Sequence, residues 1–321
     1  MPMHVSARAA LVAGVCALAV SASGCVAPAS SGGGATTATS PTVGGCRVFP
    51  SDNAWNADVS RAPVRANSAQ YVANINSSGN TMLHPDFGGG GAYGIPFKVV
   101  DSTEPRRRIV YTAYGDESDP GPFPVPPDAP VEGGNASDGD RHVLVVQRGT
   151  CHLYELGRAF WRGDHWDADV GVNWNLGSNA LRPLGWTSAD AAGLPILPGL
   201  VRYDEVASGA VKHALRFTVS RTQKGYVFPA THYASSSTDP SRPPMGLRFR
   251  LKASFDTTRY TGQARVIVEA LKKYGMIVAD NGSNWFITGA SDTRWNDTDL
   301  DQLKVVPGSA FEVVSTGSII H

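Results

Sequence analysis

Cysteine is scarce, four in 321 residues, and no two stand in a close-spaced pair. That excludes a Cys-x-x-Cys redox centre and a thiolate-built zinc site. The 8 histidines are scattered, so no transition-metal ligand set is apparent. No Gly-x-Ser-x-Gly nucleophile elbow occurs. The one glycine run, Gly88 to Gly91, has no Lys-Ser/Thr pair behind it and is no phosphate loop. Neither sign of charge prevails, with 28 basic against 28 acidic residues. No basic run interleaves with aromatics, which argues against nucleic acid as a partner. No apolar run is long enough to cross a bilayer.

What the chain has begins with an export signal over residues 1–24. Arg8 supplies the positive start, and Ala9 to Val20 is a short apolar core. Ala22-Ser23-Gly24-Cys25 resembles the lipobox of bacterial lipoproteins, although Ala22 stands where leucine is commoner. The resemblance implies cleavage before Cys25 and a diacylglycerol on its thiol. At about 0.8 kcal/mol per buried methylene, two acyl chains hold a protein on a membrane. The expectation is a lipoprotein on the extracytoplasmic face, partnered with the membrane through Cys25. Residues 25–45 form the lipidated cysteine and a Gly/Ser/Thr-rich tether with a reach of roughly 25 Å. Losing residues 1–24 removes Arg8 and no acidic group, so 27 basic residues face 28 acidic ones. Cys16 leaves with the signal, so Cys46 and Cys151 are expected to pair.

Residues 46–321 read as a single, monomeric β-rich domain. The 35 glycines, 22 prolines and seven tryptophans point to short strands and many turns. The expected fold is mainly β, an antiparallel sandwich or jelly-roll-like arrangement. One clear helix spans 263–274, with Val266, Ile267, Ala270, Leu271 and Tyr274 on a face and Gly275 as its stop. A shorter helix is expected within 64–75. His142 to Gln147 and Cys151 to Phe160 read as a hairpin in which Glu155 falls among apolar neighbours. Such a carboxylate is either paired or held at raised pKa. Ala210 to Val219, Tyr226 to Ala234 and Leu247 to Phe255 read as strands. Aligned, they present Lys212, Arg216, Arg248, Arg250 and Lys252 as a basic ladder. The acidic loop 115–140 offers oxygen ligands for a structural calcium, though a solvated crossover is the preferred reading. No other cofactor is expected.

The densest stretch runs from Trp174 to Phe217 and carries Trp186, Asp190, Asp204, Glu205, His213 and Arg216 between prolines and glycines. Together with Trp166 in an aromatic and acidic turn, this composition suits a polysaccharide or other glycan. Sugar rings stack on indoles and their hydroxyls bond carboxylates. The leading expectation is a glycoside hydrolase, which needs two carboxylates in different protonation states. Glu205 or Asp204 with Glu155 is the expected pair, with Asp190, Asp280 and Asp292 in the wider pool. A polysaccharide lyase acting on a uronate polymer is the runner-up. It would use Arg216 or Arg248 against the uronate, with His232 or Tyr226 as base; His213 reads as a core histidine. A non-catalytic glycan-binding or envelope protein is the third reading, with Trp166, Trp186, Asp190, Arg216, Arg248, Arg250 and Tyr226 as contacts.

The blocks SNALRPLGWTSADAAGLPILPGLVRYDEV, HALRF, PPMGLRFRLKASF and ALKKYGMIVADNGSNW resemble a family of exported proteins from actinobacteria and other microbes. The resemblance covers the chain from Cys46 onward and implies no activity that transfers residue by residue.

Overall fold

A computed structural model describes residues 40–321. The expected signal, lipidation site and most of the tether lie outside these residues. Along the chain the strands are β1 (Thr42–Val43), β2 (Cys46–Arg47), β3 (His84–Asp86), β4 (Phe97–Val100), β5 (Arg108–Tyr111), β6 (Val143–Gln147), β7 (His152–Gly157) and β8 (Phe160–Trp161). They continue as β9 (His165–Ala168), β10 (Val170–Asn175), β11 (Leu215–Val219), β12 (Arg248–Leu251), β13 (Met276–Asn281), β14 (Phe286–Thr288) and β15 (Phe311–Val314). The helices are α1 (Ser68–Asn76), α2 (Tyr203–Ala207), α3 (Gly262–Lys273) and α4 (Asp297–Asp301). The protein is mainly β. Among the described residues no helix is long and apolar enough to cross a membrane.

The two larger sheets run β10-β7-β6-β4 and β15-β12-β13-β11-β14-β3. The β6–β7 hairpin forms as its alternation predicts, with Leu144 opposite Glu155 and Val145 opposite Tyr154. The sheets are mixed: β4 with β6, β5 with β9, β11 with β13, and β14 with β3 are parallel. Parallel neighbours need long crossovers, and the stretch between β11 and β13, which contains β12 and α3, is one.

Each large sheet has two unlike faces, because side chains alternate along a strand. Tyr154 and Leu156 face a small core with Phe123, Val125, Val143, Val145 and Trp166. Trp166 is 1 % exposed and its indole N–H donates to the Val125 carbonyl at 3.1 Å. The aromatic and acidic turn is therefore a core lid, and Trp166 offers no face to a sugar. Glu155 points the opposite way, with Leu144, Val172 and Trp174, into the main core.

On the six-stranded sheet, Phe217, Phe249, Ile287 and Val313 form an apolar face that is wholly buried. Trp285 stacks on Phe217 and Phe311, and its indole N–H donates to Asn76 of α1 at 2.8 Å. The opposite face carries Arg248, Ile277, Arg216, Thr288 and Asp86 in one cross-strand row. Of the predicted basic ladder, Arg216, Arg248 and Arg250 are buried between layers rather than open to a ligand, while Lys212 and Lys252 are exposed outside the strands. Arg248 donates to the carbonyls of Tyr274, Ala54 and Ala57. Arg250 pairs with Glu312 at 2.9 Å and donates to the Val59 carbonyl. Orphan carbonyls consume the donors that were expected to meet a glycan.

Two other expectations are corrected. Only residues 215–219 and 248–251 of the two long predicted strands are in sheets. Tyr226 to Ala234 contains no strand, only bridges from Tyr226 to Met245 and Ile320; Pro229 lacks the N–H a ladder needs. Asp204 and Glu205 sit in the first turn of α2, where carboxylates favour the N-terminal end of the helix dipole.

The predicted disulfide is present, Cys46 to Cys151 with Cα atoms 5.3 Å apart. Helix α3 matches its expected span, and Gly275 follows it with φ 68°. Among the described residues, no group of three or more His, Cys, Asp or Glu is placed to hold a metal ion. The carboxylates of the acidic loop disperse instead: Asp119 to Arg182, Asp128 to Lys98 and Glu132 to His142.

Candidate functional site

Between the sheets lies a layer of charge. The loop after Trp186 turns at Ser188, whose hydroxyl accepts the Asp190 N–H at 3.0 Å and donates to the Leu194 carbonyl at 2.6 Å. This bonding pins Asp190 over β11. Arg216 donates to both Asp190 oxygens, at 2.9 and 2.8 Å, and to Thr288 Oγ1 at 2.6 Å. Asp190 is fully buried, so this planar bidentate pair is shielded from water.

Titratable groups gather around that pair. His142 enters from the start of β6, its Nδ1 2.5 Å from Glu132 Oε2 and its Nε2 2.9 Å from the Ala189 carbonyl. Burial disfavours the imidazolium, but the hydrogen bond and charge of Glu132 outweigh it and raise its pKa to about 9. His142 is thus a cation that donates from both ring nitrogens. In return, despite burial, it holds Glu132 below the usual carboxylate range. Asp280, at the end of β13, is pushed up to about 7 by burial and by the charge of Asp190. Asp86, at the end of β3, is raised by the desolvation of its carboxyl, with Glu132 adding repulsion against the pull of His84 and Arg216.

Asp86 also opens to solvent, along a polar groove of about 520 Å³ lined by His84, Tyr93, Asp297, Asp301 and Lys304 among others. His84 stacks on Phe286 with ring centres 4.1 Å apart. Burial and nearby Lys304 lower its pKa, which leaves the ring neutral at neutral pH. Tyr93 is 64 % exposed and lies over Gly89, where a Cβ would sit 2.7 Å from the ring. The groove therefore joins an aromatic platform to Asp86, a carboxyl raised by desolvation, while Glu132, which does not line the groove, acts on Asp86 through its charge.

The pairing expected from sequence does not form. Both Glu155 oxygens face inward, accepting the N–H groups of Ile196 and Leu197 at 2.9 Å and the Trp174 indole at 3.0 Å. Burial raises Glu155 to about 7 in spite of those donors. Glu205 is bound by Arg202 at 2.7 Å and His213 at 3.1 Å. Burial opposes its charge, but these partners hold it at about 2. Arg202 in turn donates to the carbonyls of Leu197 and Leu200, so Glu155 and Glu205 anchor opposite ends of one buried crossover. Asp204 is exposed and pairs with Arg294 at 2.9 Å. His232 Nδ1 bonds the Ala191 carbonyl at 2.7 Å, and Tyr226 is buried. Trp186 is half-buried beneath the Arg182 guanidinium, 5.4 Å from its ring centre.

Of the residues expected to contact a ligand, Asp190 and Arg216 form the floor of this charged cluster, while Arg248, on the same sheet face, is bound to backbone carbonyls. Sequence reasoning missed Asp86, Glu132, His142 and His84. One signal was available: the His84-Pro85-Asp86 stretch runs straight into Gly88 to Gly91, four glycines all at positive φ, where backbone and ring approach closely. Nothing in the sequence tied Glu132 to His142. Compared with known protein families, curated proteins and solved structures, the chain finds no match.

Proposed function

We propose that this protein is an exported, lipid-anchored glycoside hydrolase whose working carboxylates are Asp86 and Glu132. The observation that carries the reading is the opposed tuning of two carboxylates that sense each other's charge: Asp86, which lines the open groove, is raised, and Glu132, behind it, is depressed by His142. Glycosidic cleavage needs that asymmetry. Asp86, its carboxyl raised, serves as the acid and gives its proton to the leaving oxygen as the C–O bond breaks. Glu132, ionised, either attacks the anomeric carbon or takes a proton from the attacking water, and the configuration of the product tells which. Arg216 beneath them keeps the site's negative charge from accumulating. Export and the anchor at Cys25 rest on the N-terminal signal.

A lyase acting on uronates fits less well. The groove sets Asp297 and Asp301 against one ammonium, Lys304, which is already paired with Asp301 at 2.7 Å. That balance repels a polyanion and favours a neutral glycan. The test is a panel of polysaccharides read for new reducing ends and for the ultraviolet absorbance of unsaturated uronates, with Asp86→Asn and Glu132→Gln alongside. Reducing ends from the wild type alone support the reading. Equal release by all three proteins, absorbance without hydrolysis, or retention on insoluble glycan with neither signal would each overturn it.

A further inference from the structure

A second cavity lies away from the groove and shares no residue with it. It is a cleft of about 180 Å³ between the segment 49–55 and the segments 179–182, 193–195 and 228–229. Its exposed walls are Phe228 and Leu181, over a floor of the buried Phe49, Trp55, Trp174 and Leu194, with Arg182, paired with Asp119, also on its lining. Trp55 is seated on Gly199, where a Cβ would come within 2.7 Å of the indole, so the wall cannot shift inward. Three polar side chains form one edge. Asn53 Nδ2 donates to Asn179 Oδ1 and Asn179 Nδ2 donates to Asp52 Oδ1, both at 2.9 Å. Asn53 Oδ1 accepts the Trp55 N–H at 3.0 Å. Among the described residues no hydrogen bond engages the second oxygen of Asp52, which leaves an acceptor at the mouth.

We infer that this cleft is a binding subsite for one neutral pyranose ring. The volume is that of a single six-membered ring; a cavity of roughly 150 Å³ already takes a benzene. The exposed Phe228 ring over an apolar floor, with a carboxamide and carboxylate edge, matches a ring that has one apolar face and a rim of hydroxyls. The two arms are bonded across Asn53, Asn179 and Asp52 before any ligand arrives, so little ordering opposes binding. The cleft lies apart from the proposed acid and base, so it would tether a glycan while the groove works on another part. This inference concerns binding and stands whether or not the groove is hydrolytic.

The experiment is a titration of the whole protein with methyl glycosides of glucose, galactose, mannose and N-acetylglucosamine, and with their neutral oligosaccharides. Calorimetry and tryptophan emission report binding, since Trp55 and Trp174 line the cleft. At least one sugar should bind and shift the emission. Asp52→Ala and Phe228→Ala, both at exposed positions, should each weaken it about tenfold or more, the loss of one charged hydrogen bond or one stacked ring. Asp204→Asn, on an exposed helix turn outside both cavities, should bind as the wild type does. Failure of every sugar, benzyl alcohol binding as tightly as the sugars, or loss of binding in Asp204→Asn would each overturn the inference.

Discussion

Arg216 grips Asp190 through two hydrogen bonds of 2.9 and 2.8 Å in the layer between the sheets, where Asp190 has no contact with solvent. Such a pair counts for most when half of it is lost. Asp190→Asn keeps the shape but leaves the guanidinium without its counter-charge. The expected cost is about 3–5 kcal/mol, read as a lower urea midpoint with an unchanged slope. A loss under about 1 kcal/mol, the range of exposed pairs, would mean that Thr288 and the neighbouring acids suffice.

The Glu132–His142 pair ties stability to pH from both sides. His142 is raised from 6.5 to about 9, so its contribution is complete below 6.5 and is lost as pH climbs through about 9. Glu132 is depressed, so its contribution is present above the ordinary carboxylate range and is lost as pH falls below it. Wild type should exceed Glu132→Gln in stability most clearly between those limits. Thermal melts from mildly acidic to alkaline pH should show the two curves converging above about 9. Parallel curves across the range would refute the coupling.

Catalysis should carry the same signatures. Asp86→Asn and Glu132→Gln should each lower hydrolysis by about 10²–10⁴-fold, the usual worth of a positioned acid or base. The pH–rate curve should lose its alkaline limb with Asp86→Asn and its acidic limb with Glu132→Gln. Asp204→Asn, on an exposed helix turn, should leave both limbs in place.

Arg248 separates a structural cation from a ligand-binding one. Arg248→Met removes donors from the Tyr274, Ala54 and Ala57 carbonyls. Stranding buried acceptors costs about 1–3 kcal/mol each, so the melting temperature should fall by several degrees. Glycan cleavage at the groove by the folded protein should not change. Slower cleavage at unchanged stability would restore the ladder as a contact surface.

Opening the disulfide with the double substitution Cys46→Ser and Cys151→Ser should cost about 2–5 kcal/mol. Equilibrium denaturation of both proteins under the same conditions checks this.

Local patterns carried much of the fold into the sequence. Alternation across Leu144 and Glu155 produced the hairpin, helical spacing produced α3, and two remaining cysteines produced the bridge. The candidate site was barely legible, because its members come from β3, the acidic loop, the start of β6 and the end of β13, and meet only after the layers close. Alternation did place Arg216 and Arg248 on one face. It could not say whether that face met water or the segment 49–59. Asp204 and Glu205 drew attention as adjacent carboxylates, yet an ion pair on a short helix uses the same residue types as an active site.

The bridge from Cys46 also decides how the domain responds to being pulled. Any tension arriving along the chain ahead of Cys46 passes covalently to Cys151, at the tip of the hairpin formed by β6 and β7, strands buried along their length. Peeling the short pair β1–β2 away would therefore not begin to unravel the domain. Force would instead meet a ladder of five paired residues from Val143 to Gln147. Single-molecule extension from the N-terminal side should show a higher rupture force with the bridge closed than after reduction.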